Sequence, residues 1–266
     1  MLVEKEELKV EYKKFTGSFA VEGKCALVTG AASGIGKAAA RLFAGNGSRL
    51  VMVDISPEVE KAANELRSGY GAEVLAVVCD LTAPGEIDKL IGRALKEFGR
   101  IDILVNVAGI CILSPAEDLP EQVWDRIMDL NLKYTFRLCQ AAGKSMIESG
   151  GGRIVNVASQ GGVIATDKHT AYSVSKAGLI HMTKSIALEW AKYNINVNAV
   201  SPTVVLTELG ERLWQGEEAE LMKKKIPCGR FLYPDEVAAV ILFLSCDASN
   251  MITGENIMLD GGYTIQ

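Results

Sequence analysis

Residues 25–47 read CALVTGAASGIGKAAARLFAGNG: a short β-rich run, a turn holding three glycines, and an alanine-rich helical pattern. Gly30, Gly34 and Gly36 occupy that turn, where a missing Cβ permits positive φ and lets the backbone approach an anion closely. The N–H groups opening the helix, at about Ser33, Gly34, Ile35 and Gly36, would face that anion and add the positive end of the helix dipole. By itself a glycine triplet equally describes a tight turn packing helix on strand. The next run, RLVMVD (49–54), makes the difference, because it ends on Asp54, eighteen residues after Gly36. A carboxylate there accepts both hydrogen bonds of an adenosine ribose and repels a 2′-phosphate. Neither Ser33 nor Ile55, the adjacent positions, is an Arg or Lys that would clamp that phosphate. The pattern therefore points to NAD rather than NADP. Asp80, with Leu81 beside it, either approaches the adenine or caps the loop before TAPGE (82–86).

Working outward, β-rich runs alternate with longer helical patterns along the whole chain. Strands are expected at 25–30, 49–54, 73–80, 102–109, 152–159, 195–202 and 255–262. Helices are expected to begin near Gly34, Pro57, Pro84, Pro120, Thr170, Thr207 and Pro234, proline being tolerated where the first N–H is unpaired anyway. Continuous apolar runs such as ALV and AVV suit parallel strands covered on both faces. Strand–helix alternation then implies right-handed crossovers. The expected fold is α/β: one doubly wound Rossmann domain with a seven-stranded parallel sheet and helices on both faces. Its expected limits are 23–266, behind an N-terminal extension over 1–22.

The 266 residues are 48% hydrophobic and 23% charged, with a net charge of −5. That balance suits an ordinary soluble domain and gives no electrostatic case for nucleic acid or an anionic membrane as partner. No apolar run reaches the length of a membrane span. The opening MLVEKEELKVEYKKFTG alternates acids and bases and lacks the apolar core of a signal peptide. Cys25, Cys79, Cys111, Cys139, Cys228 and Cys246 are scattered, without a C-x-x-C pair or neighbouring histidines. They suggest neither a disulfide framework nor a metal site, and a reducing, cytoplasmic setting follows.

Tyr172 and Lys176 stand four residues apart in HTAYSVSKAGLIH (169–181), hence on one face of a helix. Alone they read as a core aromatic and a solvated charge. A tyrosine whose pKa falls by ~3 units gains ~4 kcal/mol for its phenolate, part of which a nearby ammonium can supply, and becomes a proton acceptor near neutrality. Ser159 ends the fifth strand thirteen residues earlier, at the carboxyl edge where such sheets hold ligands. Asn131, in DLNLKYTF, by itself reads as a surface residue of an amphipathic helix.

Together TGAASGIG (29–36), NVAG (106–109), Asn131, Ser159 and YSVSK (172–176) resemble the short-chain dehydrogenase/reductase family, in its order and spacing from Gly23 to Gly262. The resemblance implies that Tyr172 is the acid/base and that Ser159 polarises the substrate oxygen. Lys176 would lower the tyrosine pKa and bind the nicotinamide ribose, and Asn131 would hold a water joining Lys176 to solvent. Asn106 would brace the central sheet, with Ala108 and Gly109 along the cofactor; Pro202 and Val205 would flank the nicotinamide, and Thr207 would contact its carboxamide. Two positions depart from the family pattern: Val107 replaces a second asparagine, and Thr203 follows Pro202 where glycine is usual.

The segment 203–231 is the region that closes over substrate in that family, and PTVVLTELGERLW (202–214) resembles its xylulose reductase branch. Trp214 would lie on the substrate chain or else anchor the lid; His169 would bond a substrate hydroxyl or else cap the helix. Gln160 is a further candidate. With no cationic anchor expected, a neutral polyol or 1,2-diol oxidised to a hydroxyketone suits the site. A 3-ketoacyl or other carbonyl reductase predicts NADPH and a basic docking surface, which Asp54 and the acidic balance oppose. A non-catalytic dinucleotide sensor predicts a damaged Ser–Tyr–Lys set, and all three are present. The resemblance also implies a homotetramer built on the helices at about 120–147 and 170–193.

Overall fold

The apolar run 25–29 becomes the first of seven parallel strands, and every residue in it is buried because helices cover both faces of the sheet. The computed structural model describes residues 18–266. The strands are β1 Cys25–Thr29, β2 Arg49–Asp54, β3 Val74–Val78, β4 Ile103–Asn106, β5 Gly152–Val157, β6 Ile195–Pro202 and β7 Asn256–Leu259. Their order across the sheet is β3-β2-β1-β4-β5-β6-β7. Val28 of β1 lies between Met52 of β2 and Val105 of β4. The chain winds from β1 toward β3, then returns to place β4 on the other side of β1. At that reversal the loops leaving the two strands diverge and open a crevice.

Two apolar layers hold the helices to the sheet. On one face, α1 (Gly34–Gly45), α2 (Glu58–Tyr70) and α9 (Pro234–Leu244) bury Phe43, Leu66 and Ile241. On the other, α3 (Glu86–Phe98), α5 (Thr135–Glu148) and α6 (Thr170–Trp190) bury Leu90, Leu138 and Ile186. A smaller satellite core around Met222, Ile226 and Phe231 lies under α8 (Gly216–Lys225), which follows the short α7 (Glu208–Leu213).

Several sequence expectations change at their ends or middles. The fourth strand, expected over 102–109, stops at Asn106, because the N–H groups of Val107 and Ala108 turn to the Thr29 hydroxyl instead of a ladder partner. The third, fifth and seventh strands are also shorter than expected. The helix expected over about 120–147 is α4 (Glu121–Met128), a π-helical stretch over Asp129–Tyr134, and then α5. The helix expected from Thr207 breaks at Gly216, whose φ is +54°, into α7 and α8. Most of the expected extension, residues 1–17, lies outside the described residues. Of its remainder, Val21 is buried and Phe19 stacks on Phe243 of α9.

Candidate active site

A cleft of about 1100 Å³ runs along the carboxyl ends of the strands. At its middle is the β1–α1 turn. Gly30 and Gly34 have φ of +65° and +53°, and a Cβ on Gly36 would stand 2.1 Å from the Gly30 carbonyl oxygen. Glycine is thus required for the turn to exist in this shape. The N–H groups of Ser33, Gly34, Ile35 and Gly36 find no acceptor among the described residues, as the first turn of a helix dictates. Asp54 closes one end. Its two carboxylate oxygens accept the N–H groups of Ala32 (3.0 Å) and Ser56 (2.9 Å), which fix the group at the rim with lone pairs to spare. Ile55 stands exposed beside it. Asp80 accepts the N–H and the hydroxyl of Thr82 at 2.9 and 2.7 Å, so it caps its loop while lining the cleft with Leu81.

The other end is built by β5, β6 and α6. Ser159 stands just past β5, and its Oγ accepts the Gly161 N–H at 3.1 Å. Tyr172 and Lys176 line the cleft from one face of α6. Lys176 is buried, and its Nζ donates to the Val157 carbonyl at 2.8 Å. That ammonium lies over the phenol ring, 5.8 Å from its centroid. Burial pushes the Tyr172 pKa up to about 12, offset in part by the Ser159 hydroxyl, and burial brings Lys176 down to about 8. The part of the phenol's acidity expected from Lys176 is therefore outweighed by burial in this cleft. Removing water penalises both charged forms, and the lysine faces the ring and a carbonyl.

Two asparagines sit behind the cleft wall. Asn131, turned inward by the π-helical stretch, is buried; its Oδ1 accepts the Ile110 N–H and its Nδ2 donates to the Ile110 carbonyl, both at 2.9 Å. Nδ2 also reaches Ser175 Oγ at 3.1 Å. The surface reading of this residue does not hold. Asn106 is buried between β4 and β5, donating to Asn156 Oδ1 at 2.8 Å, and does not line the cleft, so its place is in the sheet and not along a cofactor.

Ala108 and Gly109 form the cleft's inner wall, with Pro202, Val205 and Thr207 opposite. Thr207 caps α7 by accepting the Gly210 N–H at 3.2 Å. Gln160, His169 and Trp214 all reach the same end. Gln160 is 8% exposed and its Oε1 has no partner. The His169 side chain does not cap α6; its ring stands edge-on to Tyr172 at 6.0 Å, with Nδ1 2.5 Å from the Asp167 carbonyl oxygen. Trp214 packs on Phe231 in the satellite core while lining the cleft.

A protein-family model described as enoyl-(acyl carrier protein) reductase matches residues 30–264. An NAD-dependent glycerol dehydrogenase of Listeria innocua is 52% identical over 96% of this chain and 99% of its own. A D-threitol dehydrogenase of Mycolicibacterium smegmatis is 47% identical over the full length of both. The crystal structure of a short-chain type dehydrogenase/reductase from Mycobacterium marinum superposes with a TM-score of 0.89, at 37% identity, covering 93% of this chain and 98% of that one. The chain belongs to the short-chain dehydrogenase/reductase family.

Its departures from the short-chain dehydrogenase/reductase pattern have local explanations. Val107 needs no side-chain amide, because the Thr29 hydroxyl receives the Val107 and Ala108 N–H groups at 3.0 and 3.1 Å. Thr203 adopts no positive φ and is buried, its N–H donating to the Leu259 carbonyl at 2.9 Å. The expectation of no cation near the substrate end is corrected. Arg126 of α4 and Arg212 of α7 both line the cleft, alongside Asp125, Asp129 and Glu208. Neither arginine has a carboxylate within 4 Å among the described residues. Cys111 was also missed as a wall residue. Its thiol is pushed up to about 11 by burial, against the pull of Lys176 and Arg212. No spacing marked these residues, since each reaches the cleft only through the folding of its own loop or helix.

Proposed function

We propose that the protein is an NAD(H)-dependent dehydrogenase that interconverts a polyol or 1,2-diol and its hydroxyketone. The observation that carries the reading is one cleft with Ser159, Tyr172 and Lys176 at one end and an unclamped Asp54 at the other. The residues fit a dinucleotide. Free N–H groups on the first turn of α1 suit a pyrophosphate, and a Cβ at Gly30 would crowd the Ala108 N–H at 3.1 Å. Orphaned buried polar atoms at Gln160 and Thr203 mark where ligand groups belong. The 52% and 47% identities to proteins named for glycerol and D-threitol support the substrate class.

Ser159 holds the substrate oxygen, and Tyr172 accepts the hydroxyl proton as general base or returns it in reduction. Lys176 grips the nicotinamide ribose hydroxyls while its ammonium favours the phenolate, and Asn131 fixes the loop at Ile110 beside it. NAD⁺ when bound supplies the hydride acceptor and a positive charge near Tyr172. Asp54 binds the adenosine ribose, and Ile55, Asp80 and Leu81 flank the adenine. Gln160, His169 and Trp214 contact the substrate, and residues 203–231 close over it as a lid, drying the site before transfer.

The enoyl-(acyl carrier protein) reductase description of the family model favours a second reading, reduction of an acyl-chain carbonyl. Asp54 opposes it, because that reading predicts NADPH. A panel of polyols, diols and 3-ketoacyl thioesters assayed with both cofactors separates the two. Oxidation of a polyol with NAD⁺ is expected; activity confined to the thioesters with NADPH would reject the proposal. A protein that bound NADH but turned over none of these would be the non-catalytic sensor.

The protein acts in the cytoplasm as a homotetramer in this reading. All six cysteines are free thiols. Phe136 on α5 and Val174 and Leu188 on α6 are exposed apolar residues on the helices expected to pair, Leu188 at 84%. Light scattering should return four times the 28.6 kDa chain mass, and a monomer would refute the assembly.

A further inference from the structure

Residues 260–266 follow β7, the last strand, at one edge of the sheet. Among the described residues, the two sheet cores draw no side chain from beyond Leu259. Tyr263 packs instead on the satellite core of Met222, Ile226 and Phe231. Chain ends are poorly ordered unless something ties them down, and here a buried carboxylate does. Asp260 accepts the N–H of Gly262 at 2.9 Å and, from Thr264, the N–H at 2.8 Å and the hydroxyl at 2.6 Å. Burying a carboxylate is costly unless hydrogen bonds replace its water. Three such bonds wind residues 260–264 into a tight turn.

What the turn touches is the lid. The Cys228 N–H donates to the Gly261 carbonyl at 3.1 Å, and Gln266 Nε2 donates to the Lys225 carbonyl at 2.6 Å. A Cβ on Gly261 would stand 2.8 Å from Ile226 Cγ2 and 3.0 Å from Cys228 Cβ, so the turn's backbone lies directly against the chain leaving α8. Ile226 shares the satellite core with Phe231. Phe231 in turn carries Trp214, ring centroids 6.4 Å apart, and Trp214 lines the cleft. Contacts therefore run unbroken from Asp260 to an aromatic at the substrate end. The cofactor walls stand on other supports. Asp54 and the β1–α1 turn lie on β2 and β1, across the sheet from β7, and the Thr203 N–H is held by Leu259, which is still in the strand.

We propose that the C-terminal turn is the fixed floor of the substrate lid, and that Asp260, which organises it, is a positioning residue for substrate acting through Ile226 and Phe231 on Trp214. The inference rests on the polyol reading for its substrate. Full-length Asp260→Ala, Tyr263→Ala and Tyr263→Phe test it beside wild type. Each is titrated with NADH, assayed with NAD⁺ across polyol concentrations, and digested briefly with trypsin, for which Arg212, Lys224 and Lys225 are exposed lid sites. Both alanine variants should raise the polyol KM about ten-fold, the worth of one well-seated aromatic contact. Their kcat and NADH affinity should stay within about two-fold of wild type, because a loosened lid costs binding and leaves the reacting groups in place. Lid cleavage should run about five-fold faster or more, since local opening exposes it. Tyr263→Phe keeps the ring and should match wild type in every readout. An unchanged polyol KM, or lid cleavage at the wild-type rate, in both alanine variants would overturn the proposal. So would equal losses of NADH and polyol affinity, which would mark the turn as general scaffold. Should Asp260→Ala fail to fold, the two Tyr263 variants decide between these outcomes. A wild type that oxidises no polyol would overturn the polyol reading and the positioning role with it, whatever the rate of lid cleavage.

Discussion

Tyr172 and Lys176 lie in the same dehydrated pocket, and burial shifts them in opposite directions, the phenol to about 12 and the ammonium to about 8. Neither shift alone produces a base at neutrality; in the proposed reaction the Lys176 ammonium and the positive charge of bound NAD⁺ together favour the phenolate. Tyr172→Phe should lower kcat by about 10²-fold or more while NADH binding persists, the usual worth of a positioned acid/base; steady-state kinetics with a fluorescence titration checks both. Lys176 offers a pH test with a definite sign. Its folded pKa lies below its ordinary 10.5, so the unfolded chain binds the extra proton between about 8 and 10.5, and this group adds stability as pH rises through that window. Below it, the buried ammonium is a net cost. Lys176→Met should therefore abolish activity yet melt higher than wild type at pH 7, with the gap closing toward pH 10. A variant melting lower at pH 7 would contradict this.

At the scale of elements, the β1–α1 turn is the least forgiving. A Cβ on Gly36 would meet the Gly30 carbonyl oxygen at 2.1 Å, backbone that cannot swing aside. Gly36→Ala should destabilise by about 2 kcal/mol or more, as overpacking against fixed neighbours does, and should lose NADH affinity because the helix N-terminus shifts. Thermal melting and titration measure the two effects. The π-helical stretch shows the opposite case. DLNLKYTF carries an ordinary amphipathic pattern, yet one extra residue in the turn rotates Asn131 inward, where it binds both backbone groups of Ile110. The glycine turn was legible because glycine has no substitute at positive φ. The π-helical stretch was not, because nothing in residue type distinguishes it from continuous α-helix.

For the whole molecule, the cleft divides two sets of loops that the sheet joins only from below. A ligand spanning both sets ties them together, and a ligand that binds only the folded state stabilises it by about 2.7 kcal/mol at one hundred times its Kd. For a chain of this size, NADH at that excess should raise the melting temperature by about 5–10 °C. Scanning fluorimetry tests it, and an unmoved transition would count against a dinucleotide in this cleft. NADPH should produce a smaller rise, since Asp54 offers its phosphate no partner.

The sequence by itself determined the sheet, the glycine turn, Asp54 and the helical pairing of Tyr172 with Lys176. Each depends on a local rule: an apolar period, a missing Cβ, or a spacing of one helical turn. Only the tertiary structure decided which side chains share the cleft. It brought Arg126, Arg212 and Cys111 into the cleft wall and left Thr203 with an unanswered hydroxyl. It also decided the charge state of the Tyr–Lys pair, because desolvation depends on what other segments pack around a residue. Chain neighbours carry no trace of that packing.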